Sequence, residues 1–96
     1  MCGISGQYSL NNQEINQLKN KLIMMSKILE HRGPDGNGIW VSERKNIGFM
    51  HRRLSIIDIS ENASQPMKSI DKNVITYNGE IYNYLELKST LSNYWE

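Results

Sequence analysis

One helical stretch, cut off by a proline turn, sets what this chain can fold into. Ile15, Leu18, Leu22, Met25 and Leu29 recur at helical spacing, with Gln, Asn and Lys on the opposite face, which predicts a helix with a single apolar stripe. Asn11 with Glu14 has the shape of a capping box at its start. The helix should stop at Gly33-Pro34, because proline disfavours helical geometry in the residue before it, and Asp35-Gly36 continues the turn. Around this helix the segments are short and β-like. Cys2 to Tyr8 is Gly-punctuated and alternating; Gly38 to Glu43 and Ile47 to Met50 flank the polar turn Arg44-Lys45-Asn46 as a hairpin. Leu54 to Ile59 is β-rich, and Val74 to Tyr77 is a further strand after the turn-like Asp71-Lys72-Asn73. Ile81, Tyr84, Leu85 and Leu91 predict a second amphipathic helix beginning shortly after Asn78-Gly79. Strand, helix, several strands, helix is the order of an α+β fold with a largely antiparallel sheet.

Ninety-six residues suffice for one small domain. The formal net charge is +1, and the longest basic cluster is His51-Arg52-Arg53. That is a poor footprint for nucleic acid or an anionic membrane, so small molecules or protein are the expected partners. Cys2 is the one cysteine, which rules out an intrachain disulfide. With no basic, apolar leader before it, the expected compartment is the cytoplasm, where thiols stay reduced.

Cys2 is the most informative position for chemistry. A lone cysteine is usually a small buried hydrophobe. At position 2, however, removal of Met1 would give one residue a thiol and a free α-amine, and a neutral terminal amine can act as base for its own side chain. Asn78-Gly79 is a strong turn dipeptide. The same geometry also lets the Asn side-chain amide and the Gly79 N–H converge as two oxyanion donors. Arg53 belongs either to a solvated charge cluster or to the rim of a pocket, where its guanidinium would pair with a substrate carboxylate. His31 and His51 lack Cys or carboxylate neighbours at ligand spacing; both read as structural, and no metal site is expected.

Taken together, Met1 to Gly6 (MCGISG), His31 to Gly36 (HRGPDG), His51 to Asp58 (HRRLSIID), Gln65-Pro66 and Tyr77 to Asn83 (YNGEIYN) resemble the glutaminase domain of asparagine synthetases, a class II glutamine amidotransferase. The resemblance implies an N-terminal-nucleophile fold, a four-layer αββα sandwich of antiparallel sheets between helices. It also implies that Cys2 attacks the side-chain amide of glutamine, ammonia leaves, and water releases glutamate. On the residues that match, the nucleophile falls on Cys2 and the carboxylate-binding arginine on Arg53. The pocket segment falls on Leu54, Ser55, Ile56 and Ile57. The oxyanion pair falls on Asn78 and Gly79, and the acidic residue that helps hold the substrate α-amine on Glu80. HRGPDG is given a structural role near the site.

The implied partners are L-glutamine and an ATP-using synthetase domain in cis or in trans, with a homodimer as a further expectation. No cofactor is expected in this segment; ATP and Mg²⁺ would serve the synthetase domain. The family's domain is longer and carries a later Gly-Ser-Asp-type motif, so residues 1–96 are expected to be a partial domain. Two alternatives stay open: a non-catalytic glutamine-binding or protein-interaction remnant, and an amidotransferase for another carboxylate acceptor.

Overall fold

The structure is a computed structural model, and it describes residues 2–54, 64–79 and 82–91. Strand β1 (Gly3–Tyr8) is followed by helix α1 (Leu18–Ile28) and a 3-10 turn over Glu30–Arg32. Strands β2 (Gly36–Val41) and β3 (Ile47–Arg53), the two-residue strands β4 (Met67–Lys68) and β5 (Val74–Ile75), and helix α2 (Tyr84–Thr90) complete the order. β1, β3 and β2 form an antiparallel three-stranded sheet with β3 in the middle; β4 and β5 pair as a separate antiparallel ribbon. The architecture is the expected α+β with antiparallel sheets.

β3 has two faces because side chains alternate along a strand. Met50 and Arg52 face α1, whereas Phe49, His51 and Arg53 fall on the other side. The helix-facing side holds the core, in which Leu18, Leu22 and Met50 are buried and Ile15, Met25, Leu29, Ile39 and Val41 pack around them. Leu22 and Met50 are completely enclosed. Truncating a fully buried leucine to alanine costs about 2–5 kcal/mol, so Leu22 is the point where the helix is tied to the sheet. On the opposite face Trp40 pairs across the strands with Phe49, ring centroids 5.3 Å apart.

The amphipathic stripe placed α1 correctly but misplaced its start. Asn11 does not cap a helix. Its Oδ1 accepts from the Ser9 hydroxyl at 2.6 Å and from the Gln13 N–H at 3.2 Å, closing a local turn. The residues that follow are held by the β2–β3 turn instead. Asn46 Nδ2 donates to Asn12 Oδ1 at 2.8 Å, and the Ile15 N–H donates to the Lys45 carbonyl at 2.8 Å. The helix therefore begins at Leu18, after Gln17 in a left-handed conformation with φ 54°.

The hairpin turns over residues 42–46, with the Ser42 hydroxyl accepting from the N–H groups of Asn46 and Ile47. That use of Ser42 ends β2 at Val41 instead of Glu43. β3 runs beyond Met50 to Arg53 because both neighbours pair with it that far, Gly3 with Arg52 and Gly36 with Arg53. Of Val74 to Tyr77 only Val74 and Ile75 are strand, and their partner strand β4 was not anticipated. α2 starts at Tyr84, later than expected, and buries none of its residues among those described. The expected strand over Leu54 to Ile59 lies outside the described residues beyond Leu54, as does Ile81.

Candidate active site

β1 begins at Gly3, so Cys2 sits at the lip of the sheet, half-buried. Its sulfur lies against the backbone of Leu54, directly after β3. The Leu54 N–H points at Sγ at 3.4 Å, and the thiol reaches toward the Leu54 carbonyl at 3.9 Å. The Cys2 carbonyl in turn accepts from Arg32 Nε at 3.3 Å. Two residues distant in sequence, Arg32 and Leu54, thus fix the Cys2 backbone and thiol.

Arg32 belongs to HRGPDG, and this loop reaches the sheet because Gly33 has no side chain. A Cβ there would overlap the Arg52 and Arg53 backbone. The close approach lets Pro34 bridge to Arg53 and the Asp35 N–H donate to the Arg53 carbonyl at 3.0 Å. Through these contacts the loop braces the end of β3.

Arg53 lines a cavity of about 220 Å³ together with Asp35, Gly36, Asn37, His51, Ser64 and Gln65. Asn78 lines a second one of about 170 Å³ with Gly3, Ile4, Leu29 and Arg32. Cys2 itself lines neither hollow; its sulfur rests on the Leu54 backbone, one residue after Arg53, and Gly3, its neighbour in sequence, lines the second. The chain therefore gathers Cys2, Arg53, Leu54 and Asn78 around the start of β1 and the end of β3, with Arg53 and Asn78 in separate hollows. Gly79 follows Asn78 and is exposed. Ser55, Ile56, Ile57 and Glu80 lie outside the described residues.

Two further side chains, His51 and Gln65, contact the backbone of Tyr77, the residue before Asn78. His51 is 2% exposed, and its Nε2 lies 3.2 Å from the Tyr77 carbonyl. Since a carbonyl only accepts, Nε2 carries the proton. Burial pushes the His51 pKa below its ordinary value; the Tyr77 hydrogen bond opposes this shift, and the charge of Arg53 adds to it. Gln65 Oε1 accepts from the Tyr77 N–H at 2.6 Å. Gln65-Pro66 was visible as a motif, but nothing local in the sequence links it to a residue so far along the chain. Among the described residues no group of His, Cys, Asp and Glu is placed to hold a metal ion, and no helix is long and apolar enough to cross a membrane.

A family model described as a glutamine amidotransferase domain matches residues 1–95. A putative glutamine-hydrolysing asparagine synthetase 2 of Methanocaldococcus jannaschii is 43% identical over 105 residues, 92% of this chain and 20% of that protein. Glutamine-hydrolysing asparagine synthetase 1 of Bacillus subtilis is 42% identical over 93 residues, 95% of this chain and 14% of that protein. A Gibberella zeae protein named amidase chry2 is 33% identical over 102 residues, 97% of this chain and 15% of its own length. The chain spans a fifth or less of each of these relatives. No solved structure matches. With the family model matching nearly end to end, the chain belongs to the glutamine amidotransferase domain family.

Proposed function

We propose that this chain hydrolyses glutamine at Cys2, as the ammonia-producing part of an ATP-dependent asparagine synthetase. The observation that carries the reading is the seat of the Cys2 sulfur on the backbone of Leu54, the residue after Arg53. With Met1 removed, the α-amine of Cys2 takes the thiol proton. The thiolate attacks the side-chain carbonyl carbon of glutamine, and the carbonyl oxygen becomes an oxyanion. The Asn78 side-chain amide and the Gly79 N–H receive that charge. The intermediate collapses as the amine returns its proton to the departing nitrogen, releasing ammonia and leaving a thioester. Water, deprotonated by the same amine, attacks the thioester and frees glutamate. Arg53 pairs with the substrate α-carboxylate, the backbone of Leu54, Ser55, Ile56 and Ile57 lines the pocket, and Glu80 holds the α-ammonium.

The same reading makes the helix-backed sheet β1-β3-β2 one helix layer and one sheet layer of a four-layer αββα sandwich. The face bearing Trp40, Phe49, His51 and Arg53 would be the one turned toward the second sheet. Residues 1–96 would form part of the amidotransferase domain, working with a synthetase domain in cis or in trans that amidates aspartate. ATP and Mg²⁺ belong to that domain. The residues here do not fit them: the sequence has no Gly-rich pyrophosphate loop, and no metal-binding group is present among those described. A cytoplasmic location agrees with a mechanism that needs a reduced thiol.

A second reading of the same site has a carboxylate other than aspartate as the ammonia acceptor, since not every relative carries the name asparagine synthetase. Both readings share one test. Glutamate release from glutamine should depend on Cys2 and vanish in Cys2→Ala, and a glutamine-like electrophile should label Cys2. Glutamate release that survives Cys2→Ala would sink the proposal, and comparing aspartate with other carboxylates as acceptors separates the two versions.

A further inference from the structure

We infer that His51 and Gln65 are positioning residues that clamp the backbone of Tyr77 from both sides and thereby aim the oxyanion donors of Asn78-Gly79. The inference rests on the glutamine-hydrolysing reading above, and it adds two residues to which that reading assigns no part. The Tyr77 N–H belongs to the peptide unit before Tyr77, and its carbonyl belongs to the unit that also contains the Asn78 N–H. Gln65 Oε1 holds the first at 2.6 Å and His51 Nε2 holds the second at 3.2 Å. Two adjoining peptide planes fixed by side chains leave Tyr77 little freedom in φ and ψ, so the direction in which the chain enters Asn78 is set.

Of the two clamping side chains, His51 is anchored in regular structure, unlike the segment it holds, and Gln65 is on a bend. His51 is in the central strand of the sheet and almost wholly buried. Gln65 stands beside it, lining the same cavity as His51 and Arg53. Residues 76–79, by contrast, belong to no helix or strand. An oxyanion hole on irregular backbone must be held within roughly 0.5 Å to be useful, and such precision comes from supporting side chains on rigid elements. Because His51 is kept neutral with Nε2–H directed at a carbonyl, it donates to Tyr77 without bringing a cation to the back of the site.

The test uses steady-state glutaminase kinetics and Cys2 alkylation by iodoacetamide, with the protein that carries this chain. His51→Leu should lower kcat about tenfold or more while leaving the glutamine KM within about threefold, since the donors act on the transition state. His51→Gln, whose Nε2 can donate in the place of the imidazole Nε2–H, should restore most of the loss. Alkylation by iodoacetamide, which needs no oxyanion hole, should be the same in all three. If His51→Leu fails to fold, Gln65→Leu and Gln65→Glu carry the same comparison, the glutamate keeping the acceptor for the Tyr77 N–H. Equal kcat in the leucine and parent forms, or equal losses in the leucine and conservative variants, overturns the clamp. A parent with no Cys2-dependent glutaminase activity overturns the functional reading itself, and the inference falls with it.

Discussion

Arg52 and Arg53 are neighbours in sequence and lie on opposite faces of β3. Arg52 is 8% exposed, and its Nε donates to the Ser26 carbonyl of α1 at 2.8 Å, with Glu30 4.0 Å from its guanidinium. Arg53 lines the cavity on the other side of the sheet with His51 and Gln65. Strand alternation alone separates a residue that braces the helix from one that faces the candidate site.

The two arginines should therefore fail in different assays. Arg53→Ala removes the proposed carboxylate partner, and a charge-assisted hydrogen bond contributes about 1.5–3 kcal/mol. Glutamine use, as kcat/KM, should fall roughly ten- to hundredfold, since each 1.4 kcal/mol or so is a factor of ten. Arg52→Ala should leave the glutamine KM nearly unchanged and lower the denaturation midpoint, because it strips a buried donor and its packed stem from the helix–sheet contact. Equal effects of the two on glutaminase kinetics would refute the assignment.

The mature protein should lack Met1. The Cys2 carbonyl and sulfur are already held, by Arg32 and Leu54, so the group still needed for proton transfer is the free α-amine. Intact-mass analysis of active protein from its own host reads this directly, and an active preparation that retains Met1 would contradict the N-terminal-nucleophile mechanism.

What the sequence revealed followed the range of each interaction. The α1 stripe was legible because Leu18 and Leu22 both face the sheet, so burial imposes a helical period on the sequence itself. The helix start was not, because Asn11 resembles a cap while its side chain is engaged by Ser9 and Gln13, and Asn12 is held by Asn46. β4 escaped notice because Met67 and Lys68 are both exposed and two residues carry no alternation. At the candidate site Cys2 stands out by its position, whereas Arg53 and Asn78-Gly79 read equally as a solvated charge and a turn until the family resemblance singles them out. The parts played by His51 and Gln65 depend on Tyr77 backbone groups 26 and 12 positions away, which no local pattern encodes.

Acidification should weaken folding through His51. Its pKa lies below the ordinary 6.5, mainly because burial penalises the imidazolium. Between 6.5 and that lower value the unfolded chain binds more protons than the folded one, so stability falls as pH drops through the window. Above 6.5 His51 contributes no slope, and below its folded value the loss levels off. Arg53 and Asp35 line the same cavity as His51, so the measurement is a comparison with His51→Gln, which keeps both of those groups and removes the imidazole. Moving from about pH 7.5 to about pH 5.5, the parent's urea midpoint should fall further than the variant's. Parallel midpoints across that range would show that His51 does not carry the effect.

Gly38→Ala should impair glutamine hydrolysis from a position that touches neither Cys2 nor the substrate. Gly38 is in β2, paired with His51 of β3, and the Gln65-Pro66 backbone lies directly on it. A Cβ at Gly38 would overlap the Gln65 carbonyl, and backbone cannot swing aside as the end of a flexible side chain can. The sheet is braced on its far face by α1, so the segment carrying Gln65 is the part that moves. Gln65 Oε1 then leaves the Tyr77 N–H, and half of the clamp on Asn78-Gly79 is lost. The expected result is a kcat lower by about tenfold, less than the 10²–10³ typical of deleting an oxyanion donor outright. Iodoacetamide labelling of Cys2 should be unchanged, and the β2–β3 hairpin should remain protected in hydrogen exchange. Normal kcat in Gly38→Ala would mean that Gln65 can shift without disturbing the donors. Loss of hairpin protection would mean instead that the alanine is accommodated by deforming β2.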